Sequence, residues 1–430
     1  MKRILLGLVI SFVTLPAAQA AITPEEIDQA AAAVQPQVVE WRRWFHQNPE
    51  LSNREFNTAA RIAEILRGMG LEPRTGIAHT GVTAIIEGGL PGPLVAIRTD
   101  IDGLPVEEQT GLPFASIARS EYNGQDVGVM HACGHDAHMA MVLGAAKLLN
   151  DMKAELPGSV MLIFQPAEEG APSGEKGGAS LMLDEGIFAE RMPAAVFGMH
   201  VGIGVPGGQF AVRPGPMMAA SDSFKITVKG KQTHGAVPWG GIDPIVVSAQ
   251  IVQGLQTIVS RQVDVTLAPS IISVGRIAGG IRYNVIPGEV VMEGTIRTFD
   301  PDMREYIHRS IERTAKLIAE SAGAQAEVSI EQGPPSLQNN AELTSLVMPA
   351  LERASGHPAH SIQPQTVAED FAEYGRVTPA VFVFLGNSPE GVDPGTQPAN
   401  HSPFFSMEEP HMEVGVKAFS HMVVDFLESQ

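Results

Sequence analysis

The feature that most constrains the fold is a set of short apolar segments in which polar residues hardly alternate with hydrophobic ones. They are rich in Val, Ile, Leu and Phe and are separated by helical patterns such as residues 138–152. Strands of this composition are buried on both faces, because helices cover both sides of a parallel sheet. We therefore predict an α/β domain with a mostly parallel central sheet flanked by helices. The segments are 82–86, 94–98, 159–164, 194–199 and 380–385.

Between about residues 213 and 330 the pattern changes to alternating apolar and polar residues, which is typical of antiparallel strands with one exposed face. Helical patterns at 243–260 and 301–322 lie between these strands. Together they predict an α+β layer with a four-stranded antiparallel sheet and two helices. The alternating strands are 224–230, 270–277, 290–298 and 326–332.

Apolar segments of the first kind precede and follow the alternating region, which indicates a domain inserted into the α/β domain. We place the first part of the α/β domain at residues 21–212 and its second part at 333–430. The inserted domain covers residues 213–332.

Residues 1–20 have the three parts of an export signal. Lys2 and Arg3 are basic, residues 4–15 are apolar, and an A-x-A cleavage site ends at Ala20. The apolar part is too short to span a membrane permanently, and no cysteine directly follows it that could carry a lipid anchor. We predict a signal peptide that is removed from a periplasmic or secreted protein without a membrane anchor. The alternative is a buried N-terminal helix.

The composition excludes several function classes. The 430 residues include 29 Lys and Arg against 48 Asp and Glu, which gives a net charge of −19. A nucleic-acid-binding protein needs a basic face, so nucleic acid is excluded as a general partner. The single cysteine, Cys133, excludes intramolecular disulfides. The absence of H-E-x-x-H and G-x-S-x-G motifs excludes the helical zinc-protease site and the nucleophile elbow.

The densest chemical signal is HACGHDAH at residues 131–138, which places one thiol and three imidazoles within eight residues. Zinc-like ions prefer such ligands. Gly134 separates Cys133 from His135, so a tight turn can direct both side chains at one point. We predict a metal site here. The alternative is one or two core histidines beside an inert buried cysteine.

Other candidate residues follow the predicted buried strands. Glu168 and Glu169 come after the strand at 159–164, His200 ends the next strand, and His401 follows the last one. The carboxyl ends of parallel strands meet at one edge of a sheet, so we expect these side chains to lie together. Two acids beside a metal can act as a ligand and a general base. The alternative for the acid pair is a solvated loop.

Six segments, in order, closely resemble the M20 metallopeptidase clan, within it the branch of hippurate hydrolases, auxin-conjugate (IAA-amino acid) hydrolases and N-acyl amino acid deacylases. The resemblance runs from about residue 27 to the C-terminus. It implies a catalytic domain interrupted by a lid domain that also forms a homodimer, with a tetramer as the alternative. It also implies two divalent metal ions per subunit, Zn²⁺ or Mn²⁺ with Ni²⁺ and Co²⁺ as alternatives, and hydrolysis of an amide beside a free carboxylate. The segments are RTDIDGLPVEE (98–108), HACGHDAH (131–138), FQPAEEG (164–170), HGAVPWGGIDP (234–244), NVIPG (284–288) and AEDFAEYG (368–375).

The resemblance also implies roles for individual residues. Glu168 would be the general base, and His234 in the lid would stabilise the oxyanion in the partner subunit's site. Asn284 and Arg297 would bind the substrate carboxylate, for which Arg offers two parallel hydrogen bonds. The five metal ligands would be Cys133, His135, Glu169, His200 and His401.

The segment Arg98-Thr99-Asp100 departs from the H-x-D of the peptidase members and favours the Cys/His version of the site. Asp100 would then orient a metal ligand. We predict metal-dependent hydrolysis of N-acyl amino acids or related conjugates to a carboxylic acid and an amino acid. One alternative is a metallo-carboxypeptidase or dipeptidase that acts on short peptides. Another is a non-catalytic periplasmic metal-binding protein on a hydrolase scaffold, against which Glu168 argues, because binding alone needs no base.

Overall fold

The computed structural model describes residues 21–202 and 204–430. The predicted signal peptide, residues 1–20, lies outside the described residues. Within them, no helix combines the length and the hydrophobicity that are needed to cross a membrane. The α-helices of the described chain are Pro24–Gln47, Phe56–Gly68, His135–Asp151, Gly178–Asp184, Pro244–Arg261, Pro301–Ser321, Ala341–Ser355, Ala372–Gly375 and His411–Glu428.

An eight-stranded sheet, here called the large sheet, contains all five of the predicted buried strands. Its four inner strands run parallel to one another, and antiparallel strands join them on both sides. The predicted α/β class with a mostly parallel central sheet is confirmed. In spatial order the strands are Arg74–Ile77, Gly81–Glu87, Pro157–Gln165, Leu90–Asp100, Ala195–Gly202, Ala380–Gly386, Phe210–Val212 and His360–Ser361.

The inner strands are apolar on both faces because each face contacts a separate hydrophobic core. In the strand Leu90–Asp100, Val95 and Ile97 belong to one core, whereas Leu94 and Ala96 belong to the other. The first core includes residues of the five helices Pro24–Gln47, Phe56–Gly68, His135–Asp151, Ala341–Ser355 and His411–Glu428, and the second includes residues of Gly178–Asp184 and Ala372–Gly375.

A separate four-stranded antiparallel sheet, here called the small sheet, forms within residues 220–332 as predicted. Buried side chains such as Ile226 face the helices Pro244–Arg261 and Pro301–Ser321, and alternate side chains such as Lys225 are exposed. The domain boundaries at 212/213 and 332/333 stay predictions. The strands are, in spatial order, Ser270–Ala278, Glu289–Thr298, Ala220–Lys229 and Gln325–Gln332.

Local sequence determines where the two helices beside the small sheet begin. The Asp243 carboxylate accepts a hydrogen bond from the Ile245 backbone N–H, and the Asp300 carboxylate accepts one from Met303. A proline follows each aspartate at the first helical position, where its missing N–H costs nothing.

Candidate metal centre

The carboxyl ends of the inner parallel strands carry most of the predicted site residues. Asp100 ends its strand, His200 lies near the end of the neighbouring strand, and Glu168 and Glu169 follow the strand Pro157–Gln165. Ligands of open α/β sheets bind at this edge. The structure therefore brings together residues that lie far apart in the sequence.

Cys133 and His135 reach this edge from the turn that precedes the helix His135–Asp151. Gly134, between them, has a φ of 97°, and a Cβ at this position would lie 2.3 Å from Cγ2 of Val201. Only glycine has both the backbone freedom and the small size that this turn requires. The turn places Sγ of Cys133 at 3.4 Å from Nε2 of His200.

His401 completes the cluster from a loop. Its Nε2 lies 3.3 Å from Sγ of Cys133 and 3.1 Å from Oε1 of Glu169. Its φ of 69° is a left-handed conformation that non-glycine residues rarely adopt. The loop is tied to the cysteine turn, because His401 N–H donates to the Ala132 carbonyl at 2.8 Å and Asn400 Nδ2 donates to the Cys133 carbonyl at 3.1 Å. This strain persists because the surrounding hydrogen bonds hold the loop.

Two histidine rings are oriented by backbone carbonyl groups. Nδ1 of His135 donates to the Asp102 carbonyl at 2.8 Å, and Nδ1 of His200 donates to the Val201 carbonyl at 2.7 Å. Each neutral ring then presents an unprotonated Nε2 to the site, as metal-ligating histidines do. Nε2 of His135 is buried and makes no hydrogen bond within the described chain. Such an unpaired atom is costly unless a further group binds it.

The electrostatics of the cluster favour a bound cation. Burial, together with the Glu169 carboxylate, raises the pKa of the Cys133 thiol, so a thiolate needs a cation beside it. Burial opposes protonation of His135, but nearby carboxylates, Asp100 first among them, raise its pKa to about 10. Burial holds the pKa of His200 well below its usual range, which keeps this ring neutral. A proton on His135 and a metal ion are alternative ways to neutralise the same acids.

The donor set fits a divalent metal, since it combines thiolate, imidazole and carboxylate ligands. Four overlapping groups of residues each offer ligand atoms that lie within 4.8 Å of one another. His135, Glu168 and Glu169 each occur in two of the groups. The groups are Cys133, Glu169 and His401; His135, Glu168 and Glu169; Asp100, His135, His138 and His200; and Glu168, Glu369 and Asp370.

The remaining histidines of the HACGHDAH segment have other environments. Nδ1 of His138 donates to Oδ1 of Asp100 at 2.7 Å, and its Nε2 accepts from the Val201 N–H at 2.8 Å. With both nitrogens engaged, His138 orients Asp100 rather than binding a metal directly. His131 is buried without a hydrogen bond in the described chain, and burial lowers its pKa to about 4.

Arg98, where peptidase members have the histidine of H-x-D, is fully buried among acids. Its guanidinium lies 3.0 Å from Asp100, 3.0 Å from Glu369 and 2.9 Å from Asp370, and it also donates to Gln165. This network fixes Asp100 at the edge of the cluster. The roles of Glu369 and Asp370 were not predicted from the sequence, although both lie in the AEDFAEYG segment that resembles the M20 clan.

Glu168 lies beside the ligand cluster. Its Oε2 is 3.8 Å from Nε2 of His135. Burial and the neighbouring Glu369 carboxylate raise the pKa of Glu168 well above its usual range. A carboxylate with a raised pKa is a stronger proton acceptor, which suits a general base.

The three candidates outside the cluster lie in the region of the small sheet. The short strand Thr233–His234 pairs with Val285–Ile286, so His234 and Asn284 are close neighbours. No hydrogen bond or ion pair of the described chain joins either residue to the metal cluster. The guanidinium of Arg297 donates to the Ser221 hydroxyl on the adjacent strand.

The hydrogen bonding of His234 determines what its exposed ring can do. The Ala236 backbone N–H donates to Nδ1 at 3.0 Å, so a neutral ring carries its proton on Nε2. Nε2 is therefore a hydrogen-bond donor, and no hydrogen bond of the described chain engages it. This tautomer is the one that stabilisation of an oxyanion requires.

We expect the Cys133→Ala variant to bind Zn²⁺ at least about tenfold more weakly, because loss of a ligand should cost no less than loss of an outer-sphere partner. The measurement is competition with a chromophoric chelator on the purified protein. His357→Ala, which removes an exposed histidine outside the cluster, is the control. Equal affinities for Cys133→Ala and this control would show that the thiol is not a ligand.

Residues 96–425 match peptidase family M20/M25/M40. The chain is 39% identical over 404 residues to the N-acetylcysteine deacetylase of Bacillus subtilis (strain 168), covering 93% of this chain and 99% of that protein. It is 39% identical to thermostable carboxypeptidase 1 of Saccharolobus solfataricus, covering 94% and 98%. Among solved structures it is similar to the Bacillus subtilis YXEP protein, described as a dinuclear metal binding peptidase from the M20 family. That match has a TM-score of 0.79 and 36% identity, and it covers 93% of this chain and 99% of that one.

Proposed function

Because the chain belongs to peptidase family M20/M25/M40, we propose that it hydrolyses the amide bond of N-acyl amino acids or related conjugates, releasing a carboxylic acid and an amino acid. The observation that carries this proposal is the position of Glu168, a base with a raised pKa, beside the ligand cluster. The similarity to an N-acetylcysteine deacetylase supports the N-acyl class of substrate.

The metals would be two divalent ions per subunit, Zn²⁺ or Mn²⁺ with Ni²⁺ and Co²⁺ as alternatives. Bound there, they would supply Lewis-acid activation of water and of the scissile carbonyl. Sharing of Glu169 between two of the ligand groups supports a pair of adjacent ions. The residues that would hold them are Cys133, His135, Glu169, His200 and His401.

The chain's own residues would move the proton. Glu168 would take a proton from the attacking water and return it to the leaving amine, which departs as a free amino group. Nε2–H of the partner subunit's His234 would donate to the oxygen that becomes negative in the tetrahedral intermediate. Asn284 and Arg297 would supply donors to the substrate carboxylate.

We propose that the chain acts as a homodimer, with a tetramer as the alternative. Trp239 follows His234 in sequence, Ile281 and Tyr283 precede Asn284 on the neighbouring segment, and the three side chains are 81%, 103% and 95% exposed. The strand Ser270–Ala278 is at an edge of the small sheet and exposes Ile271 and Ile277. Exposed aromatic residues beside an unpaired strand are typical of a protein interface. A second copy on this face would bring its His234 to the neighbouring site.

We also propose that the protein is exported to the periplasm or secreted. The basic, apolar and A-x-A parts of residues 1–20 support this location. Cleavage after Ala20 would leave the described chain from Ala21 onward.

The test is a substrate panel on protein reconstituted with defined metals. We expect N-acetyl or N-benzoyl amino acids to be cleaved with a higher kcat/KM than unblocked dipeptides. Faster cleavage of dipeptides would favour the carboxypeptidase or dipeptidase alternative. The similarity to a thermostable carboxypeptidase is consistent with this alternative. Tight metal binding without turnover of any substrate would favour a non-catalytic metal-binding protein.

A further inference from the structure

The loop that carries the base is held by two buried carboxylates from other parts of the chain. The Ala167 N–H donates to Oε1 of Glu55 at 2.9 Å. The Glu169 N–H donates to Oδ2 of Asp102 at 3.0 Å. Glu168 therefore lies between two backbone amides whose positions are set by distant residues.

The segment before the helix Phe56–Gly68 contributes to both attachments. Glu55 immediately precedes this helix, and the Ser52 hydroxyl donates to Oδ2 of Asp102 at 2.7 Å. Asp102 also accepts from Nδ1 of His135 through its backbone carbonyl. Residues 52–55 thus contact the loop that carries Glu168 and Glu169 in two ways. Glu55 binds the loop directly, and Ser52 binds Asp102, which in turn binds the loop.

Ala167 explains why the loop needs such an attachment. Its φ is 53°, in the left-handed region that residues with a Cβ rarely adopt. A non-glycine residue stays in this conformation only when its surroundings hold it there. The hydrogen bond from Ala167 N–H to Glu55 is such a restraint.

Glu55 has no cationic partner among the described residues that would account for its burial. Its side chain is completely buried, and both of its hydrogen-bond donors are neutral, the Ala167 amide and the Thr80 hydroxyl at 2.6 Å from Oε2. No ion pair of the described chain includes it. A buried carboxylate without a cation is costly, so a position of this kind indicates a specific requirement for its two acceptor oxygens.

We propose that Glu55 is a positioning residue for the hydrolytic reaction, which holds Ala167 in its left-handed conformation and thereby directs Glu168 and Glu169 into the site. The inference rests on the proposed function, because it assigns Glu55 an effect through the base and a metal ligand. It adds a residue from the N-terminal segment to a site otherwise built at the strand ends.

The first test compares three single variants of the full-length, metal-loaded protein. We expect Glu55→Ala to lower kcat by about 10²-fold with KM changed by no more than about threefold, because it misplaces the base without removing a substrate contact. Glu55→Gln keeps an acceptor oxygen for Ala167 and should retain kcat within about threefold. Glu50→Ala is the matched control, since the Glu50 carboxylate caps the same helix through Asn57 and Thr58 and does not contact the loop.

A second variant distinguishes positioning from a general loss of stability. Glycine adopts a positive φ without strain, so Ala167→Gly combined with Glu55→Ala should recover about tenfold in kcat over Glu55→Ala alone. If Glu55→Ala does not fold, Thr80→Val replaces it. Thr80→Val removes the hydroxyl that donates to Oε2 of Glu55. It should therefore also lower kcat, but by less than the loss expected for Glu55→Ala.

Hydrogen exchange gives a readout that does not depend on activity. In metal-free protein, the peptide covering residues 164–170 should exchange faster in Glu55→Ala, or in its replacement Thr80→Val, than in the wild type or Glu50→Ala. Wild-type exchange in this peptide, or equal kcat losses in Glu55→Ala and Glu50→Ala, would overturn the positioning role. So would a Glu55→Gln variant as impaired as Glu55→Ala. If Glu168→Gln is inactive while Glu55→Ala keeps wild-type kcat, only the positioning role fails, whereas a fully active Glu168→Gln contradicts the proposed function itself.

Discussion

The Glu168→Gln variant should keep its metals and lose at least about 10²-fold in kcat, the lower end of what removal of a general base costs. Glutamine has nearly the same size and can occupy the same position, but its amide cannot take a proton from water at neutral pH. Glu168 is not among the five proposed ligands, so metal content should stay near that of the wild type. The measurements are kcat on an N-acyl amino acid and metal content by elemental analysis.

Glu175→Gln is the matched control for this substitution. Glu175 is an exposed acid in the same connecting region, and it pairs with Arg54 on the surface. We expect this variant to keep wild-type kcat. Near-normal turnover by purified Glu168→Gln would show that Glu168 is not the base, and a loss of metal parallel to the loss of activity would make it a ligand instead.

The second large effect is expected at His234. Removal of one donor to an oxyanion costs about 10²- to 10³-fold in kcat, so His234→Ala should be nearly inactive although its metal cluster is intact. In the described chain no hydrogen bond or ion pair joins His234 to that cluster. If the partner subunit supplies the imidazole, mixing His234→Ala with Glu168→Gln should restore activity.

The expected recovery follows from counting sites in the mixed dimer. The subunit with His234→Ala has its own Glu168 and receives an intact His234 from the neighbour, whereas the other site lacks both groups. At complete exchange of equal amounts, half of the dimers are mixed and each has one good site. About a quarter of wild-type activity should return if the sites are independent.

The control for this experiment mixes Glu168→Gln with a Glu168→Gln/His234→Ala double variant, in which no site has a base. Differential tags on the two subunits would show that exchange has occurred. If mixed dimers form and activity does not return, His234 acts within its own subunit or has no part in the reaction. Either result would contradict the proposed two-subunit site.

Much of the fold could be predicted because it depends on local periodicity. The unalternated apolar runs mark strands that are buried on both faces, and all five belong to the large sheet. The alternating runs mark the small sheet for the same reason, since one of its faces is exposed. The short strands Phe210–Val212 and His360–Ser361 were not predicted. Such short segments have too few residues to show a period.

The candidate ligands could be named from the sequence because their chemistry is carried by residue type and by position after a strand. Cys133 and His135 are neighbours on either side of a glycine, and Glu169 and His200 follow apolar runs. Sequence could not show which histidines of the HACGHDAH segment face the cluster. His138 is engaged by Asp100 and by the Val201 N–H, and both contacts join segments that are distant in the chain.

The sequence by itself thus determined the two kinds of sheet, the likeness to the M20 clan and the residue types of a metal site. Only the tertiary structure decided that His401 approaches Cys133 to 3.3 Å and that Glu55 holds Ala167. It also placed the Arg297 guanidinium against the Ser221 hydroxyl. The physical reason is that apolar residues recur at a regular spacing within a helix or a strand. This spacing can be recognised in a short stretch of sequence. A hydrogen bond or a ligand contact between residues that are distant in the chain leaves no period in either segment.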